Sequence, residues 1–248
     1  MEVRAILVTG GMGSRLLPFT AYTQKSLLPI FDRPVLDYCL ATIRSAGIKK
    51  ITIISNKFID QIAKHIGSGL EGEHIQYVIE SNPEGVLPAI SLARPYNQDC
   101  RMLIYFSDNI TTVHLANEVE HFTDSVESPG CVMLGRHENN PEAFGVAVFQ
   151  GETLIDVVEK PQNPPSNIAI GGIYLYDETF WSKFDNVIST QPTDHSISDI
   201  NRMYVKESKA KLLSVGTNTW LDCGSPESLL EAANLAKEGK LRPHSLQN

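Results

Sequence analysis

Residues 1–135 alternate short strand-like runs with longer stretches of helical spacing, and this alternation restricts the chain to βαβ units around a largely parallel sheet. Ala5 to Thr9, Lys50 to Ser55, Ile75 to Ile79, Arg101 to Phe106 and Cys131 to Leu134 read as strands. Between the first two, Pro34 to Ala46 carries Val35, Leu36, Cys39, Leu40 and Ile43 at spacings of three and four, which makes one apolar helix face, and Gly47 ends it. Phe58 to Ile66, Glu84 to Ala93 and Leu115 to Thr123 read as further helices. The expectation for this half is doubly wound α/β.

The second half changes character. Val146 to Phe149, Thr153 to Glu159 and Ile170 to Tyr176 are short strands separated by Gly-, Pro- and Asn-rich turns, which predicts an added mixed sheet. Lys160 to Ser166, with three prolines, reads as a surface loop. Ser198 to Val205 and Pro226 to Lys237 read as helices. The latter opens with Ser225 as N-cap, Pro226 in the first helical position and Glu227 in the first turn. The polar tail from Gly239 to Asn248 is expected to fray. No repeat or linker divides the chain, so 1–248 is read as one domain, with a first half to about 135 and a second half over about 136–240.

Composition removes several function classes. The 21 Lys and Arg against 29 Asp and Glu give a formal charge of −8, which argues against a general binder of nucleic acid or anionic membrane. Cys39, Cys100, Cys131 and Cys223 form no CxxC pair, so they predict buried thiols rather than a zinc site or disulfide framework. No apolar run approaches the roughly 20 residues of a membrane span, and the N-terminus reads as a strand rather than a secretory leader. A cytoplasmic protein without membrane or nucleic-acid partners is expected.

Directly after the first strand comes Gly10-Gly11-Met12-Gly13-Ser14-Arg15-Leu16-Leu17-Pro18-Phe19-Thr20, then Lys25 and Leu27-Leu28-Pro29. Backbone N–H groups bared by Gly10, Gly11 and Gly13 can wrap a phosphate chain. Arg15 offers a planar fork and Lys25 a point charge for the same oxygens. No Gly-Lys-Ser/Thr closes the loop, and Leu16 stands where a dinucleotide fingerprint needs its third glycine, so neither of those phosphate motifs applies. A nicotinamide oxidoreductase fails on that ground.

These residues resemble the sugar-phosphate nucleotidylyltransferases, whose pattern runs GGxGxRLxPxT followed by Lys before Leu-Leu-Pro. The chain looks most similar to the short-form glucose-1-phosphate thymidylyltransferase branch. That likeness runs through Phe31-Asp32-Arg33-Pro34, Ser107-Asp108-Asn109-Ile110, Phe144-Gly145-Val146, Val158-Glu159-Lys160-Pro161 and Trp220-Leu221-Asp222-Cys223-Gly224. The resemblance implies a Rossmann-like, mostly parallel sheet flanked by helices, with a mixed β region that binds sugar. It also implies Mg²⁺-dependent transfer of a nucleotidyl group from a nucleoside triphosphate to a sugar 1-phosphate, releasing pyrophosphate. By the same resemblance, Asp108 and Asp222 hold Mg²⁺, and Arg15, Lys25 and Lys160 are catalytic. Gly10, Gly11, Gly13, Glu80 and Gly85 bind nucleotide; Gly145, Glu159, Lys160 and Gly172 bind the acceptor. Relatives of this kind commonly assemble as homo-oligomers.

Spacing alone leaves bland alternatives for several of these residues: Asp222 as a helix cap, Asp108 as a turn residue, and Glu159 with Lys160 as a solvated surface pair. Other positions depart from the resemblance. Glu80 stands where that branch reads the pyrimidine with Gln, and an ionised carboxylate only accepts hydrogen bonds. Glu80 therefore favours an exocyclic amine, pointing to a cytidylyl- or guanylyltransferase, or else it turns to solvent while Gly10 and Gly85 hold the base. Pro192-Thr193-Asp194-His195-Ser196 lacks the arginine of that branch, Pro88 replaces a Gln and Phe144 a Tyr, which opens the acceptor to other sugars or a non-sugar phosphate. A non-catalytic nucleotide-sugar sensor is the competing class. The joint presence of Arg15, Lys25, Asp108, Asp222 and Lys160 argues against it.

Overall fold

The computed structural model describes residues 1–124, 128–190 and 195–244. Strand β1 (Val3–Val8) alternates its side chains between two cores: Val3, Ala5 and Leu7 enter one, Ile6 the other. It pairs in parallel with β4 (Lys50–Ser55) on one side and β6 (Arg101–Phe106) on the other. β5 (His74–Ile79) continues the parallel array beyond β4. A two-residue hairpin, β2 (Pro29–Ile30) and β3 (Arg33–Pro34), leads into α1 (Val35–Ser45), whose apolar face is the one expected; Gly47, at φ 76°, follows its last turn. The chain therefore builds β4 and β5 to one side of β1 and then crosses to β6 on the other. In an open α/β sheet, that reversal leaves a crevice at the carboxyl ends of β1 and β6.

After α2 (Ile59–Ile66) and α3 (Val86–Ser91), β6 is followed by the short β7 (Asn109–Thr111), then α4 (Ala116–Asp124) and β8 (Cys131–His137). The hairpin β9 (Gly145–Gln150) and β10 (Thr153–Glu159) precedes β11 (Ile168–Tyr176), on which the sheet forks. The end of β11 lies antiparallel between β6 and β8, and its start lies between β8 and β9. This is the mixed sheet expected of the second half. Helices α5 (Phe180–Thr190) and α6 (Ile197–Lys206) precede β12 (Ala210–Ser214), which runs parallel to β8. β13 (Trp220–Asp222) pairs antiparallel with β7, and α7 (Pro226–Lys237) follows, its N-cap Ser225 accepting from Ser228 N at 3.2 Å. All four cysteines are buried and unpaired.

The tail differs from expectation over its described part. Leu241 is buried in the first core, and His244 Nε2 donates to the Thr111 carbonyl at 3.2 Å while its ring packs on His114. The buried Leu241, the backbone bonds from Lys240 N and Leu241 N to the Leu235 carbonyl, and the His244 contact anchor a stretch that composition marks as polar. Residues 245–248 of that expectation lie outside the described residues, as do Pro192, Thr193 and Asp194. Among the described residues, no helix is long and apolar enough to cross a membrane.

Candidate active site

The glycine-rich loop leaves β1 at the crevice and is braced from beneath. Asn56 donates to the Gly10 carbonyl at 3.1 Å, and Thr20 Oγ1 donates to the Gly13 carbonyl at 2.7 Å. Gly13 sits at φ 60°, and a Cβ there would lie 2.8 Å from Thr20 Cγ2, so the turn needs glycine twice over. Gln24, only 1% exposed, donates to the Thr9 carbonyl and accepts from Ser26 N at 2.6 Å. Gln24 thereby fixes the turn that presents Lys25, a role that the sequence reading missed.

Lys25 Nζ pairs with Asp108 Oδ2, joining the loop after β1 to the end of β6. Burial alone would raise the Asp108 carboxyl, but Lys25 and the Asn109 amide outweigh it and hold Asp108 below the ordinary aspartate range. Asp222 arrives by the β7–β13 pairing, which sets it opposite Asn109, and Cys223 N donates to the Asp108 carbonyl at 2.7 Å. Its carboxyl is pushed up by burial and by the Asp108 charge, with Arg15 and Lys25 opposing. Asp222 is not the cap of α7: it accepts from Gly224 N at 2.9 Å, and Ser225 caps the helix. Nor is Asp108 a plain turn residue, since both its oxygens take side-chain donors.

Two carboxylates from adjacent β segments, with the Asp108 charge felt at Asp222, are a hard-oxygen donor set. Among the described residues no group of three or more His, Cys, Asp and Glu could hold a metal ion. The pair suits Mg²⁺, which takes one or two carboxylates and completes its shell with water and phosphate oxygens. Arg15 reaches the same place from the loop. Its guanidinium lies over Gly224, where a Cβ would sit 2.5 Å from Arg15 Nη2 and 2.7 Å from Asp222 Oδ1.

A cleft of about 800 Å³ opens beside the carboxylates. It brings together Gly85, Asp108, Gly145, Glu159, Lys160, Gly172 and Asp222, all singled out in the sequence, with Phe144, Tyr174, His195 and Trp220. Gly85 holds φ 123°, ψ 179°, a conformation open in practice to glycine alone. Gly145 and Gly172 leave room for neighbours: a Cβ would lie 2.9 Å from Ser198 Oγ in the first case and 2.6 Å from Asn109 Nδ2 in the second. Glu159 Oε2 accepts from Ser198 Oγ at 2.6 Å, and Lys160 Nζ stands 3.5 Å from Glu159 Oε1. The Lys160 side chain, 66% exposed and on a positive-φ backbone, lines the cleft.

Gly10, Gly11, Gly13, Lys25 and Glu80 do not line this cleft; they form the loop side of the site. Arg15 lines a neighbouring cleft of about 660 Å³ that shares Asp222 and Phe144 with the first. Glu80, at the end of β5, is 5% exposed, so it is not turned to solvent. Its carboxylate packs onto the Gly10 backbone, where a Cβ would collide with it, and burial raises its carboxyl above the ordinary glutamate range.

Fold, loop and paired carboxylates together describe a nucleotidyl-transferring enzyme, and residues 4–239 match the family described as nucleotidyl transferase; the chain belongs to that family. Its relatives narrow the likeness further. A glucose-1-phosphate thymidylyltransferase of Xanthomonas campestris is 33% identical over 244 residues, covering 96% of this chain and 82% of the relative. A low-salt glycan biosynthesis nucleotidyltransferase of Haloferax volcanii is 30% identical over 96% of this chain and 67% of its own length. Among solved structures, a Bacillus anthracis protein assigned as a glucose-1-phosphate thymidylyltransferase and crystallised with sucrose superposes at TM-score 0.87. It is 32% identical, over 95% of this chain and 96% of that one. A UDP-glucose pyrophosphorylase in complex with UDP-glucose superposes at TM-score 0.82 with 20% identity, over 96% of this chain and 100% of that one, and so shares the fold.

Proposed function

We propose that the protein is a Mg²⁺-dependent sugar-1-phosphate nucleotidylyltransferase, converting a nucleoside triphosphate and a sugar 1-phosphate to a nucleotide-diphosphate sugar and pyrophosphate in the manner of the glucose-1-phosphate thymidylyltransferases. What supports this most is the convergence of Asp108, Asp222, Glu159 and Lys160 on one cleft beside the glycine loop. Within one domain, residues to about 135 bind the nucleotide and residues from about 136 to 240 bind the acceptor and complete the metal pair.

An oxygen of the acceptor phosphate bonds to the α-phosphorus, the α–β anhydride bond breaks, and its electron pair leaves on pyrophosphate. The acceptor oxygen is already anionic near neutral pH, so alignment and charge neutralisation carry the rate rather than a general base. Gly10, Gly11 and Gly13 cradle the triphosphate, Arg15 and Lys25 balance its charge, and Lys160 holds the incoming phosphate. Glu159 accepts from sugar hydroxyls, with Gly85, Gly145 and Gly172 giving substrate its close approach. Asp108 and Asp222 would hold Mg²⁺, which supplies neutralisation of the phosphoryl oxygens. Incubating the protein with pyrophosphate and the dTDP, UDP, CDP and GDP forms of glucose tests this in reverse. Release of a nucleoside triphosphate is expected; none from any pair, with sugar nucleotide bound, favours the sensor.

The Asp222 carboxyl makes the cation's effect depend on pH. Its native pKa lies above the unfolded value, so its unfavourable contribution is absent below the unfolded pKa and appears as pH rises through the native one. A divalent cation needs the ionised pair and stabilises only where that pair exists. Mg²⁺ is therefore expected to raise Tm more at pH 7.5 than at pH 4.5 by thermal scanning; equal shifts at both would count against this pair.

Glu80 favours a second reading of the base. Ionised, it accepts from an amino group, as on cytosine or guanine, and repels the O4 of thymine or uracil; protonated, it donates and accepts much as Gln does. Since burial raises its pKa, the neutral form persists to higher pH and is lost as pH rises further. The preference for CTP or GTP over dTTP is expected to grow roughly tenfold from acid to alkaline pH, within the 1–3 kcal/mol of one base contact. Glu80→Gln should flatten that trend. An unchanged pH trend in the variant removes Glu80 from base recognition.

A further inference from the structure

Asp108 is held at both oxygens, Oδ2 by Lys25 and Oδ1 by Asn109 Nδ2 at 2.8 Å. In the reaction proposed above Lys25 turns to the triphosphate, so it cannot orient Asp108 throughout. Asn109 can. Its side chain is only 4% exposed, and its Oδ1 accepts from Trp220 Nε1 at 2.6 Å and from Gly172 N at 3.0 Å. Those two donors fix which end of the amide is oxygen, because the reversed amide would set NH₂ against two N–H groups. The Asn109 NH₂ must therefore face Asp108. The indole is itself clamped: the Arg136 guanidinium carbon lies 4.2 Å from its ring centroid, Arg136 donates to the Trp220 carbonyl, and Phe144 packs at 5.6 Å.

We propose that Asn109 is a positioning residue that holds the Asp108 carboxylate in orientation for a divalent cation, with the Trp220 indole N–H holding Asn109 in turn. An amide suits this task where an ammonium does not: it fixes the direction of the carboxylate and leaves its full negative charge to the cation. A Cβ at residue 172 would push Asn109 Nδ2 aside, which gives that glycine a second reason to be one. The proposal rests on Asp108 being a cation ligand, and the experiment separates the two claims.

Mn²⁺ binding to the purified full chain, followed by loss of the free-ion electron paramagnetic resonance signal, would be compared in wild type, Asp108→Asn, Asn109→Ala and Trp220→Phe. Removing a hydrogen-bond partner of a metal ligand weakens affinity about 10- to 100-fold, and that loss is expected for Asn109→Ala. Trp220→Phe keeps an aromatic ring for Arg136 but loses the N–H together with part of the indole's bulk; it should shift affinity in the same direction by less. It remains informative if circular dichroism finds Asn109→Ala unfolded. Wild type that binds Mn²⁺, Asp108→Asn that does not, and Asn109→Ala and Trp220→Phe within twofold of wild type would overturn the positioning role alone. Asp108→Asn that binds as well as wild type would overturn the cation ligand, and the proposal with it.

Discussion

Asp108→Asn is expected to lower kcat about 10³-fold or more, the scale on which phosphoryl transfer depends on a single charged group at the transferring phosphorus. The substitution keeps the side chain's shape and an oxygen for Asn109 Nδ2, but it removes the charge that pairs with Lys25 and with any cation. Nucleotide should still bind through the glycine loop, so the loss falls on turnover. Steady-state pyrophosphate release beside nucleotide binding by calorimetry separates the two. A variant within tenfold of wild type would take Asp108 out of the chemistry.

Arg15→Ala should have the next largest effect, again about 10³-fold in kcat/KM, as removal of an arginine that balances transition-state charge does. No side-chain hydrogen bond or ion pair holds Arg15 among the described residues. It crosses the glycine of Trp220-Leu221-Asp222-Cys223-Gly224 to stand beside Asp222. Arg15→Lys should recover little, because an ammonium lacks the planar fork. Gly224→Ala, whose Cβ would displace the guanidinium and also crowd Asp222 Oδ1 while removing neither charge, should cost less than Arg15→Ala in the same assay. Full activity in Gly224→Ala would mean that Arg15 works from another position.

Much of this arrangement is written in local pattern. Strands β4, β6 and β10 and helix α7 lie where apolar runs, turn residues and the Ser-Pro-Glu cap predict them, since each is set by its own residues. The same holds for the glycine loop, because Gly10, Gly11 and Gly13 follow directly on a strand. Helix α5 is different. Phe180, Trp181, Phe184 and Val187 carry helical spacing, but they sit between a long buried strand and a polar stretch, and the sequence reading assigns no element there. The short pair β7 and β13 has too few residues for any periodicity, and only its antiparallel register brings Asp222 to Asp108.

What remained hidden in the site was of the same kind. Gln24 and Asn109 are ordinary polar residues in sequence, and their importance comes from contacts across the fold, to the Thr9 carbonyl in one case and to Trp220 and Gly172 in the other. Glu80 shows the limit from the other direction. Its departure from the thymidylyltransferase pattern is visible in the sequence, whereas its burial against Gly10 depends on β5 ending beside the loop.

Pyrophosphate release tests the central claim most directly: ATP, GTP, CTP, UTP and dTTP crossed with a panel of sugar 1-phosphates, each pair run with and without Mg²⁺ and with the acceptor omitted. Release that requires nucleotide, acceptor and Mg²⁺ together is the expected result, and the preferred base then reports on Glu80. Release that continues without acceptor would make the protein a hydrolase, and nucleotide binding with no release from any pair would contradict transfer altogether.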